Sequence, residues 1–282
     1  MTTTTVDRPG THSGQEGVSM ARVVRSEWVK FRSLRSTWIS FAAALVAAIG
    51  LGILFSALHA SRFADRQGPG PGGGGGGKIS LVDPTQVSLR GLFLAQLAVG
   101  VLGVLMITGE YGTGMVRASL TAVPRRAPVL LGKAAVFAGV TFVIATAASL
   151  VAFLGGQAAL NAHHLGVSLS SPGAARAVIG GGLYLTIVGL LALGLGFAVR
   201  NTGGAIATLF GLILVLPLLA NALPTSWQNH IDKYLPLNAG SSLMNTAHQG
   251  NTLGPLAGGL VFAAYALAAL AVGMVVLLRR DA

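Results

Sequence analysis

The chain has 282 residues, 52% of them apolar and only 10% charged, and no cysteine. A soluble globular domain carries about 25% charged residues. So little charge, spread between long apolar runs, indicates a membrane protein, and the missing cysteines exclude disulfides and thiolate metal sites.

The formal charge is +11, from 19 Lys and Arg against 8 Asp and Glu. In a soluble protein that balance would suggest nucleic acid. Here it reads as basic loops against anionic lipid, with no nucleic-acid partner.

Residues 1–19 are polar and aperiodic. Without an apolar core they are not a signal peptide, and they read as a disordered N-terminal tail. Organised sequence begins at Ala21, which makes Met20 an alternative start and 21–282 a single membrane domain.

Ala21–Trp38 (ARVVRSEWVKFRSLRSTW) is amphipathic. At 100° per residue Val24, Trp28, Phe31 and Trp38 share a face, while Arg22, Arg25, Lys30 and Arg32 lie on the rest. This suits a helix in the headgroup layer, with its indoles at the interface. Arg35 falls within the apolar face, from which it can snorkel. Glu27 falls at its edge, where anionic lipid disfavours it and a basic protein partner would explain it.

Six windows are long and apolar enough to span: 37–58, 91–108, 129–155, 178–199, 203–223 and 256–278. The fold class is therefore an all-α membrane protein with six transmembrane helices. Between the first two windows, 59–90 forms a loop whose run Gly68–Lys78 is a flexible linker by composition. Gly72, Gly77 and Lys78 fit the spacing of a nucleotide-binding loop. Ile79 stands where such a loop needs Ser or Thr for magnesium, and no strand precedes it.

The connection over 109–128, between the second and third spans, is richer in charge than its surroundings. It carries Glu110, Arg117, Arg125 and Arg126. Gly109, Gly112 and Gly114 permit a sharp exit from the second span. A carboxylate at a helix start gains about 0.3–1 kcal/mol from the dipole, which suits Glu110. Pro124 ends such a helix and Pro128 suits the start of the next.

The fourth and fifth spans are separated only by Arg200-Asn201-Thr202-Gly203, a tight turn that makes them an antiparallel hairpin. Glycines within the spans, such as Gly180–Gly182, Gly194 and Gly196, read as close helix packing or a moving interface. Residues 224–255 are mildly apolar but broken by prolines.

Six spans put both termini on one side. That side carries thirteen Lys and Arg, the other six. The bias places both termini in the cytoplasm, with 59–90 and 224–255 outside. Lys133 and Arg90 lie at span ends, where long side chains can snorkel, and ionisable groups are otherwise nearly absent from the spans. His163, His164, His230 and His248 sit in outside loops without HExxH, so a metal site is not expected. Nor is there a G-x-S-x-G around Ser241-Ser242.

EYGTGMVRASLTAVPRRAPVLLGK, from Glu110 to Lys133, resembles the cytoplasmic loop of ABC-transporter permeases of the type-2 exporter class. The resemblance rests on Glu110, Gly114, Pro124-Arg125 and Gly132-Lys133, with Met115 where that family has Thr. It extends over about 21–282, through SEWVKFRSLRSTW, GLGFAVRNTGGAIATLFGLILVLP and KYLPLNAGSSL, and is similar to actinobacterial members in its Gly- and Ala-rich spans.

The resemblance implies a coupling helix, starting at Glu110, that docks on a separate ATPase through Glu110, Tyr111, Gly114, Arg117, Pro124, Arg125 and Arg126. It implies an interface helix carrying Glu27, Trp28, Phe31, Arg32 and Arg35, and short helices re-entering from the outside in 224–255.

The expected protein is then the permease subunit of an ATP-driven exporter in a bacterial plasma membrane. It would pair with a second permease copy or a similar chain, with two ATPase subunits and with membrane lipids. It would be no enzyme and bind no cofactor, since ATP and Mg would sit on the ATPase. An ion-coupled secondary transporter is the rival, weakened by the scarcity of ionisable groups in the spans. A membrane scaffold or sensor is another. Neither the substrate nor the residues lining its path can be read from one sequence.

Overall fold

Backbone buried among apolar side chains must satisfy its own N–H and C=O groups, and a helix does this within one segment. The computed structural model of the chain is accordingly helical, with no strand among the described residues. It describes residues 19–33, 35–67, 83–113, 126–247, 250 and 252–279. The expected tail over 1–18, the run Gly68–Lys78, His248, and Gly114, Arg117, Pro124 and Arg125 of the coupling segment lie outside the described residues.

Among the described residues, six segments are long and apolar enough to cross a membrane: Arg35–Arg62, Pro84–Gly112, Ala127–Asn161, Ala174–Val199, Thr202–Ala220 and Pro255–Arg279. In chain order the helices are α1 (Met20–Ser33), α2 (Arg35–Gln67), α3 (Pro84–Leu89), α4 (Leu92–Thr113), α5 (Arg126–Asn161) and α6 (Ala174–Val199). There follow α7 (Thr202–Phe210), α8 (Leu216–Ala220), α9 (Thr225–Ile231), α10 (Pro236–Ser241) and α11 (Pro255–Arg279).

The bundle is built around α6, which packs against α4, α5 and α11, while α2 closes on α4 and α5. Of the α6 span 72% is buried, against 28% for the first, fifth and sixth spans. Those three therefore turn most of their surface outward. Small residues set the closest approach. A Cβ on Gly194 would stand 2.6 Å from the backbone of Ala269 and Leu270 in α11, and one on Gly103 of α4 would stand 2.6 Å from the Gly189 carbonyl oxygen. Deep in the bundle the wholly buried Tyr184 donates a hydrogen bond to Gln96 Oε1 and stacks on Phe262, ring centroids 5.6 Å apart.

Four departures from the sequence reading follow from local chemistry. The first concerns 59–90, where α2 continues to Gln67 and α3 occupies 84–89. Asp83 caps α3 by accepting a hydrogen bond from Thr85 N (2.9 Å), and Pro84 supplies a first-turn residue that needs no N–H. The buried Gln157 of α5 anchors α3. Its Nε2 donates to Pro84 O (3.1 Å) and Ser88 Oγ (3.0 Å), and its Oε1 accepts from Val167 N (2.8 Å).

The second is in the fifth span, where α7 and α8 are joined by a π-helical turn over Gly211–Val215. Pro217 cannot donate, and its ring crowds the carbonyl four residues back. The widened turn lets Leu216 N–H reach Gly211 O instead.

The third is the amphipathic segment, which is two helices. Arg35 and Trp38 belong to α2, while α1 buries the stripe Val23, Glu27 and Phe31. The fourth is Lys133, which does not snorkel: its side chain is only 2% exposed. In the 224–255 segment, α9 and α10 and two 3-10 turns (Asp232–Tyr234 and Ser242–Met244) are short helices, and α10 packs on α11.

Candidate functional site

The buried charge gathers at the end of the bundle where α1, the C-terminus of α4 and the N-terminus of α5 meet. Gly132 lets α1 lie directly against α5: a Cβ there would come within 2.9 Å of Val23 Cγ1. The aromatic rings of Phe31, Trp38, Phe41 and Phe137 then lock α1, α2 and α5 together. Phe31 meets Trp38 edge-on at 5.6 Å and Phe137 at 6.5 Å.

This packing brings three charged residues from three helices into contact. Lys133 Nζ donates to Glu27 Oε2 (2.6 Å) and to Glu110 Oε1 (2.7 Å). Lys30 Nζ, one turn along α1, donates to Glu27 Oε1 (2.8 Å). Glu27 and Lys133 are the buried charged residues among those described. Burial opposes ionisation of Glu27, but Lys133 and then Lys30 outweigh it, so its carboxyl titrates below the ordinary glutamate value of 4.5.

Glu110 lies within α4 rather than at the start of a new helix, and α4 runs on through Gly109 and Gly112. Lys133 supplies the compensating charge, replacing the dipole rationale drawn from the sequence. Beside the cluster opens a cleft of ≈ 470 Å³. Ser36, Thr37 and Ser40 of α2 line one wall, Leu102, Leu105 and Met106 of α4 the other, and Glu27, Glu110 and Lys133 lie at its end.

The remaining expected site residues divide. Tyr111 is half-buried with the Arg200 guanidinium 5.3 Å above its ring. Arg200 itself adopts a left-handed conformation (φ 57°) after the last turn of α6, and its Nη2 donates to Val276 O of α11 (3.0 Å). It thereby ties the ends of α4, α6 and α11. Trp28, Arg32 and Arg35 are exposed, and Phe31 is buried. Arg126 opens α5.

Sequence reasoning treated Glu27, Glu110 and Lys133 as three separate problems. Their signal was complementary sign at one end of the bundle. Arg200 and Gln157 were missed as organising residues, because a lone polar residue at a helix end looks like any other loop residue.

No family model matches the sequence, and no curated protein matches it.

Proposed function

We propose that this chain is the membrane subunit of an ATP-driven exporter of the ABC type, seated in a bacterial plasma membrane with both termini cytoplasmic. Two copies, or this chain and a similar one, form the path. A separate ATPase docks on the coupling loop 109–128 and on α1. The observation that carries this reading is Lys133. It joins Glu110, which lies within that segment, to Glu27 on α1, from α5 on the segment's far side.

A force applied to the loop therefore has a short, charged route into α1 and the body of the bundle. Thirteen basic residues at this end against six at the other support its cytoplasmic placement. The polar groups buried deeper, such as Gln96, Thr141, Ser149 and Thr186, are neutral. Their neutrality favours external drive over coupling to an ion gradient. The short helices α9 and α10 would close the path on the outer face.

The natural absence of cysteine makes site-directed cross-linking clean. Expressed in its native host, the chain should retain in mild detergent a soluble protein carrying G-x-x-x-x-G-K-[ST]. An Arg117→Cys variant should cross-link to that protein, and Lys78→Cys should not. Recovery of the chain without such a partner, or transport by it that follows an ion gradient in ATPase-free vesicles, would overturn the reading.

A further inference from the structure

A second opening of ≈ 470 Å³ lies beside α1, and none of the ion-cluster residues lines it. Trp28 of α1, Trp38 of α2, and Val136, Gly139, Val143 and Ile144 of α5 are among its walls, which are apolar or indole throughout. It runs along α5 from Ala135 to Ile144, about 14 Å at 1.5 Å per residue. One end lies under α1 and the other points along the span.

None of its lining residues is charged. Around α1 the buried stripe of Val23, Glu27 and Phe31 is followed by Val24 and Trp28 over the groove. Next come Arg25 and Arg32, which stand three residues before and four after Trp28 and are exposed. Cations and an indole at the mouth of an apolar channel that descends beside a spanning helix match the profile of a lipid: charged head at the interface, chain in hydrocarbon. A second helix laid into the groove would leave Arg25 and Arg32 without a counter-charge from the groove walls.

We infer that this groove binds one acyl chain of an anionic phospholipid, with Arg25 and Arg32 holding its phosphate. The inference rests on the spanning helices and not on the exporter reading. The lipid would fix α1 against α5 from the face adjoining the Glu27–Lys133 pair.

The probe is phosphatidylglycerol compared with phosphatidylcholine of the same chains. Each is added to the delipidated full-length protein in neutral detergent and read by native mass spectrometry and by thermal unfolding. The wild type should hold phosphatidylglycerol more tightly and melt higher with it. Arg25→Gln/Arg32→Gln should lose about twenty-five-fold in phosphatidylglycerol affinity, roughly fivefold for each arginine, with phosphatidylcholine unaffected.

Gly139→Trp fills the groove from α5. A Cβ at Gly139 meets no atom within 4 Å, and leaving glycine favours the helix, so the variant should fold and melt like wild type without lipid. It should lose binding of both lipids. Equal response of the wild type to the two lipids, or unchanged phosphatidylglycerol binding by Gly139→Trp, overturns the inference. A fall in dimer content in Gly139→Trp with lipid binding intact would assign the groove to a second copy instead.

Discussion

Replacing Lys133 by methionine keeps a long apolar stem but removes the ammonium that two carboxylates share. Glu27 is buried and contributed by α1; Glu110 is partly exposed and contributed by α4. Removing one partner of a buried pair costs about 3–5 kcal/mol, because the other charge is left in a poor solvent. Lys30 still holds Glu27 at 2.8 Å, and Glu110 keeps some access to water. The loss therefore belongs near the lower bound, about 3 kcal/mol.

Neutralising the whole cluster, as Lys133→Met with Glu27→Gln and Glu110→Gln, removes the uncompensated charge. It should bring stability back to within about 1 kcal/mol of wild type, so the single losses do not add. Unfolding by SDS in mixed micelles, followed by tryptophan fluorescence, reads both effects. Trp28 and Trp38 flank the α1–α5 contact and report its opening. A Lys133→Met protein within about 0.5 kcal/mol of wild type, the usual range for an uninvolved surface change, would refute the argument. So would a triple variant no more stable than the single one.

Acid titration supplies an internal check. The folded-state pKa of Glu27 lies below 4.5, so in acid the unfolded chain binds more protons and stability rises with pH. Its contribution is complete above the ordinary glutamate value and is lost as pH falls through the folded value. Lys133→Met should show a shallower loss over that window.

Two further substitutions test the packing. Gly194→Leu must push α11 away from α6, because even a Cβ would stand 2.6 Å from α11 backbone; overpacking of this kind costs about 1–3 kcal/mol, read as a lower unfolding midpoint. Gly211→Ala, whose Cβ meets nothing within 4 Å, should not lower the midpoint and should raise it by the roughly 0.5–1 kcal/mol that alanine gains over glycine in a helix. Gln157→Met should strand the Val167 N–H and cost about 2 kcal/mol. Hydrogen exchange at Val167 should accelerate, and protection equal to wild type would show that Gln157 does not hold that loop.

Much of the architecture was legible because a spanning helix is a one-dimensional signal: enough apolar residues in a row to match the hydrocarbon. The window 178–199 became Ala174–Val199, and 256–278 became Pro255–Arg279. The turn at Arg200–Gly203 was equally plain; the structure starts α7 already at Thr202, turns the chain at the left-handed Arg200, and has Asn201 cap α7 by accepting from Gly204 N (2.9 Å). The cap at Asp83-Pro84 was available to local reading and was hidden by the glycine-rich composition before it. Pro217 announced an irregular fifth helix, but not the π-helical turn that absorbs it.

What the sequence could not determine was which charges meet. Glu27 and Lys133 are 106 residues apart, and Glu110 and Lys133 are 23 apart. Hydropathy scores each as a defect, and amphipathic geometry placed Glu27 only at the edge of the apolar face, without a partner. Only the packing of α1 across Gly132 turns the three charges inward together. There each is tolerable because the others are present, and pair energies in a low-dielectric interior depend on distance rather than on position along the chain.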